Sequence, residues 1–143
     1  MRTRECGAPR VVSQTMSPLE HMQDYIAAAR RGDWETASAR FADDVVLHIP
    51  GRSAFAGERR GRDHALAYIE DARARSRDHD VELTVEDMLA SEERVALMVR
   101  ERFATPDGPV EIRRCNVYRW RDGEIAEIWI YEADQYAVDA LLA

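Results

Sequence analysis

The chain has 143 residues, enough for one domain that buries roughly 68–70% of the surface its unfolded form exposes, and a second catalytic domain has no room. Apolar residues make up 45% and charged residues 33%, with no apolar run long enough to cross a bilayer, which excludes disordered and membrane-spanning classes. The formal charge is −7, and all 20 bases are arginine, so a phosphate backbone is repelled, a small molecule is the better partner, and Schiff-base chemistry on a lysine amine is excluded.

Two cysteines, Cys6 and Cys115, give neither a disulfide framework nor a paired-thiol metal spacing, so a reducing, cytoplasmic setting is expected. Residues 1–16 lack the apolar core of a secretory signal and read as a disordered extension, with the domain proper at 17–143 and Met16 as an alternative start. Ser17-Pro18-Leu19-Glu20 is a capping box with proline at the first helical position. Leu19, Met22, Tyr25, Ile26 and Ala29 then recur at helical spacing up to Gly32, and Asp33 caps a short second helix carrying Trp34, Ala37 and Phe41. Val45 to Ile49 suits a strand, followed by an arginine-rich loop through Gly61, after which Asp63 opens and caps a third helix.

From Val81 the hydrophobic period falls from 3.6 to 2, and turn residues near 91–93, 105–109 and 121–123 divide the remainder into four antiparallel strands, with Asp134 capping a last helix. The fold class expected is α+β, helices on one face of a curved sheet. The loop joining the last two strands decides which residues share a face. A two-residue Asp122-Gly123 turn places Asn116 opposite Trp129 and puts Glu127 on the same face as Arg114. A three-residue Arg121-Asp122-Gly123 loop instead groups Arg114, Asn116, Tyr118, Trp120, Ile128 and Ile130, with Arg119 and Glu127 opposite. The second register is preferred, because it leaves only Arg114 and Asn116 strongly polar in the middle of an apolar face.

Those two then need partners or a ligand. Arg114 suits an enolate or carboxylate, or simply a buried acid, and Asn116 suits a developing oxyanion. His48, mid-strand among apolar neighbours, has the titration range of a general base, or is a hydrogen-bonded interior histidine. Arg52, Arg59, Arg60 and Arg62 read as a solvated rim, His21, His64 and His79 lack ligand spacing, so no metal is expected, and Cys115 falls on the outward face.

Residues 41–51, Gly57 through Asp63, Arg121-Asp122-Gly123-Glu124-Ile125 and Asp134-Gln135-Tyr136-Ala137 resemble the nuclear transport factor 2 superfamily, in its SnoaL-like and ketosteroid-isomerase-like branch, over about residues 17–142. The resemblance implies a cystatin-like conical barrel, three helices packed on a curved, mostly antiparallel sheet around an apolar pocket, usually a homodimer through the outer sheet. Polyketide cyclases of this type carry His at the position of Asn116 and Trp-Asp at Trp129-Ile130, and limonene epoxide hydrolases carry Arg-x-Asp at Arg114-Cys115-Asn116. The function expected is a small cofactor-independent cyclase or isomerase for an apolar, polyketide-like carbonyl compound. His48, Arg114 and Asn116 would be catalytic, with Tyr118, Trp34, Tyr68, Trp120, Ile130 and Arg52 about the substrate. The alternatives are a hydrophobic-ligand-binding or accessory protein without chemistry and, last, an epoxide hydrolase.

Overall fold

The capping signals near residue 17 work as their spacing predicts. In the computed structural model, which describes residues 16–143, helix α1 (Pro18–Arg30) starts with Ser17 accepting from Glu20 N–H while the Glu20 carboxylate accepts from Ser17 N–H. Asp33 caps α2 (Trp34–Ser38) through Thr36 N–H. The expected extension falls almost wholly outside the described residues. Strand β1 (Phe41–Ile49) follows, then β2 (Gly57–Arg60), which the sequence reading takes as loop. Gly-Glu-Arg-Arg has no apolar alternation, yet it pairs antiparallel with β1, Val46 opposite Arg60 and His48 opposite Glu58. It is a short, charged edge strand, the kind that discourages further pairing.

Helix α3 (Arg62–Asp78) corrects a second expectation. Its N-cap is Gly61, at φ 91°, with no side-chain capping bond, so Asp63 lies inside the first turn as a charge near the helix dipole. Strands β3 (Glu82–Ala90), β4 (Arg94–Thr105), β5 (Gly108–Arg121) and β6 (Glu124–Glu132) form successive hairpins, and Asp134 caps α4 (Gln135–Leu141) through Ala137 N–H. The six strands make one sheet in the order β2-β1-β6-β5-β4-β3, antiparallel except where β1 runs parallel to β6. The fold is thus α+β, helices on a curved, mostly antiparallel sheet. No described helix is long and apolar enough to cross a membrane.

The β5–β6 turn is shorter than the preferred three-residue loop. Arg121 pairs with Glu124 across Asp122 and Gly123, both at positive φ (52° and 78°), the two-residue geometry that follows strand twist. The expected faces survive because Ala126 is an extra residue: Trp120 pairs with Ile125 but Arg119 with Glu127, a bulge that restores the phase. Asn116 therefore faces Ile130, and Tyr118 faces Ile128.

The core lies between α1, α2 and the inner sheet face, where Met22, Phe41, Val45, Leu47, Val95 and Ile125 are essentially inaccessible. Helix α4 is seated against the loop after β1: Asp139 Oδ1 accepts from Arg52 N–H at 3.1 Å, and a Cβ on Gly51 would lie 2.3 Å from Asp139 Oδ1 and Gln135 Nε2. Gly123→Ala places a methyl 3.2 Å from the His21 ring at φ 78°. It is expected to cost about 1–2 kcal/mol, read as a lower urea midpoint at unchanged slope. An unchanged midpoint would mean that the turn is not held in this conformation.

Candidate functional site

Period-two alternation on β4, β5 and β6 carries each strand's inner row past the core and into a cavity of about 390 Å³. Its walls are mostly apolar, with Ile49, Phe103, Ile112 and Ile130 from the sheet and Val138 and Leu141 from α4, while Tyr68 and Ala72 come from α3. Arg75 of α3 adds a charge at one side, and the sheet contributes three more, one from each of three strands. Arg114 of β5 lies directly opposite Val99 of β4 and Glu132 of β6, with Glu101 two residues beyond Val99. The Arg114 guanidinium donates from Nε to Glu132 Oε1 at 3.0 Å and from Nη1 to Glu101 Oε1 at 2.5 Å. Side-chain exposures of 20%, 14% and 5% for Arg114, Glu101 and Glu132 place the trio largely out of water.

Two carboxylates against one guanidinium leave the cluster with a net negative charge that burial penalises. Burial pushes the Glu101 carboxyl above its ordinary range, Arg114 pulls the other way and Glu132 adds to the rise. Burial disfavours the Arg114 cation too, but Glu101 and Glu132 outweigh it and hold the guanidinium charged. Tyr68, on α3 above the trio, is kept a phenol by burial, against the pull of the Arg114 and Arg75 charges. The site thus offers a carboxylate that holds its proton more tightly than an ordinary glutamate, a fixed cation and a phenolic donor in a mostly apolar chamber.

Of the residues expected to be functional, Arg114, Tyr68 and Ile130 line this cavity. Asn116 is the next inward residue of β5, and its Oδ1 is buried with no donor among the described residues. Tyr118, Trp120 and Trp34 belong to the packed end of the barrel. Tyr118 lies against Tyr25 with ring centroids 6.2 Å apart, and burial pushes its phenol up to about 12. Trp120 stacks on His21, and Trp34 lies under the Arg73 guanidinium and edge-on to Phe41. Arg52 is exposed on the loop after β1 and contributes its backbone N–H to Asp139.

His48 is on the other side of the sheet. Val45, Leu47 and Ile49 are the buried residues of β1, so strand parity turns Val46 and His48 outward. The imidazole stacks on Trp129 at 5.5 Å, with Nε2 2.6 Å from Glu127 Oε2 and Nδ1 3.3 Å from Glu58 Oε2. Burial works against ionisation of Glu127, but bonds from His48 and Arg119 hold its carboxyl below the usual range. His48 therefore does not meet Arg114, and a role as base in the cavity does not fit this placement. The two carboxylates that do meet Arg114 were missed, although each continues an alternation visible in the sequence: Val95, Leu97, Val99, Glu101 on β4 and Ile128, Ile130, Glu132 on β6.

Residues 22–128 match the SnoaL-like domain family, and the chain belongs to it. An uncharacterized protein of Mycobacterium tuberculosis is 29% identical over 126 residues, spanning 87% of this chain and 95% of that protein. Among solved structures, Bal32a from a soil-derived mobile gene cassette superposes with a TM-score of 0.76 at 23% identity, over 87% of this chain and 95% of its own. RV0760c of Mycobacterium tuberculosis, solved in complex with estradiol-17beta-hemisuccinate, superposes with a TM-score of 0.63 at 23% identity, over 81% and 94%. These likenesses establish a nuclear transport factor 2-like fold.

Replacing Arg114 by Met leaves Glu101 and Glu132 facing each other without a cation. A stability loss of about 3–5 kcal/mol is expected at neutral pH. Burial already raises the Glu101 carboxyl and removing Arg114 takes away the charge that pulls it down, so the loss shrinks as the pH falls through its raised folded value. Urea unfolding at pH 7 and pH 5 checks this, and an equal loss at both would remove the ion cluster as its cause.

Proposed function

We propose that the cavity binds a largely apolar carbonyl compound and moves a proton on it, in an isomerase- or cyclase-type reaction in which Glu101, rather than His48, is the acid–base group. The observation that carries this is the Arg114 guanidinium bracketed by Glu101 and Glu132 in a mostly apolar chamber of about 390 Å³. In outline, the Glu101 carboxylate takes a proton from the carbon next to the carbonyl. The electron pair moves into the enolate, whose oxygen is met by the Tyr68 hydroxyl and the Arg114 cation. Glu101 then returns the proton at carbon, or the enolate carbon forms a bond to a second carbonyl of the same molecule, whose oxygen becomes an alkoxide and takes the proton back from Glu101. A raised carboxyl suits this task, since its basicity is closer to that of the carbon acid it serves. A relative of the same fold takes up a steroid ester, which is the size and polarity class expected here.

A second reading is binding without turnover. It is favoured by the guanidinium already spending two donors on carboxylates, which satisfies the cluster with no ligand present. Exchange of α-protons for deuterium, followed by NMR on a panel of cyclic and aromatic ketones, separates the two. Glu101→Gln is expected to slow exchange by roughly 10²–10⁴-fold with ligand affinity retained. The wild-type rate should rise with pH, with a midpoint above the ordinary glutamate range, because the unprotonated carboxylate is the base. Binding with no exchange in the wild type would leave the second reading standing. Diol formation from an epoxide panel would instead assign the carboxylate pair to water activation.

The outer sheet face carries Leu89, Met98 and Tyr131 at 55%, 41% and 56% exposure, with Cys115 between Met98 and Tyr131 in the strand register. We propose that a second copy of the chain covers this strip. Light scattering is expected to show a dimer for the wild type and a monomer for Met98→Glu; a monomeric wild type would end the proposal.

A further inference from the structure

The α3 side of the cavity carries a cation about two helical turns beyond Tyr68. Tyr68, Ala72 and Ser76 recur at four-residue spacing along α3 and line the cavity with His79 just past its end, and Arg75 joins them. The Arg75 guanidinium lies over the Phe55 ring, 4.3 Å from its centroid. Arg59 lies over the Tyr68 ring at 5.6 Å and donates to the Phe55 carbonyl at 2.8 Å. Neither arginine has a carboxylate within ion-pair distance among the described residues, although acids outnumber bases, 27 to 20. Both are held by aromatic rings instead; Arg59 also spends a donor on the Phe55 carbonyl, whereas the Arg75 guanidinium makes no side-chain hydrogen bond among the described residues.

Position near a helix C-terminus accounts for a cation in this turn, but it applies equally to Arg77, which is exposed and away from this cavity. What sets Arg75 apart is its seat on Phe55 against the chamber. The chamber is therefore polarised along α3: Glu101 and Glu132 gather with Arg114 near Tyr68, and two turns further on Arg75 stands with no carboxylate partner among the described residues. An anionic group is repelled by the first and received by the second.

We propose that Arg75 is an anion-recognition residue, selecting apolar ligands that carry a carboxylate or sulfonate at the end remote from the Arg114 cluster. It thereby orients them with their other end toward Glu101 and Tyr68. This rests on the cavity being the ligand site, and the test keeps the two claims apart. Anilinonaphthalene sulfonate and phenylnaphthylamine share one aromatic frame and differ by the sulfonate, and fluorescence titration measures both. Arg75→Gln is expected to weaken the sulfonate probe about tenfold and leave the neutral probe unchanged, with Arg75→Lys in between. Equal binding of the sulfonate by wild type and Arg75→Gln, or an equal loss of both probes, overturns the role of Arg75 and leaves the cavity reading intact. Failure of the wild type to bind either probe, or retention of both by Ala72→Trp, which fills the cavity, overturns both claims.

Discussion

One extra residue in β6 decides what this barrel holds. A two-residue turn at Asp122-Gly123 without compensation would place Glu127 on the inner face opposite Tyr118 and turn Ile128 and Ile130 outward. Ala126 absorbs the offset, so that beyond it β5 and β6 present Asn116, Tyr118, Ile128 and Ile130 to the same side. The same phase brings Glu132 against Arg114 and, through the parallel pairing of β1 with β6, places Glu127 next to His48 on the opposite face. Core, cavity and outer surface all follow from that insertion, because strand parity leaves no intermediate arrangement.

The sheet consequently separates two ionic clusters of similar composition. Inside, a permanent cation sits between two buried glutamates. Outside, an imidazole sits between Glu58 and Glu127, both nearer to solvent. The inner cluster is dearer to bury and better placed for chemistry, since low polarity strengthens every charge it contains and raises the basicity of Glu101. The outer one ties the edge strand β2 to the middle of the sheet through His48.

The local signals were legible wherever a side chain acts on its own backbone. Ser17 with Glu20, Asp33 and Asp134 each cap a helix as their positions predict, and alternation along β3 to β6 locates all four strands. Strand β2 was not legible, because an edge strand needs no apolar pattern, and Asp63 was misread because Gly61 takes the cap two residues earlier. At the site, Arg114 was recognised as a charge needing a partner, and its partners are glutamates that continue apolar rows on the neighbouring strands. His48 was misplaced for a related reason. In the run Val45 to Ile49 both parities carry a valine and only His48 breaks the apolar pattern, so a histidine taken as an interior base leaves the inner side undecided; the imidazole instead meets Glu127, 79 residues away, on the outer face.

Helix α4 supplies part of the chamber wall yet has only seven residues, too few to persist by itself. It is fastened across the chamber's rim by a carboxylate gripping the main chain of the opposite loop, over a glycine that leaves no space for a side chain. The width of the chamber is therefore set jointly by two segments almost ninety positions apart, and a change as small as a methyl group at residue 51 would act on ligand size without altering a single atom of the lining.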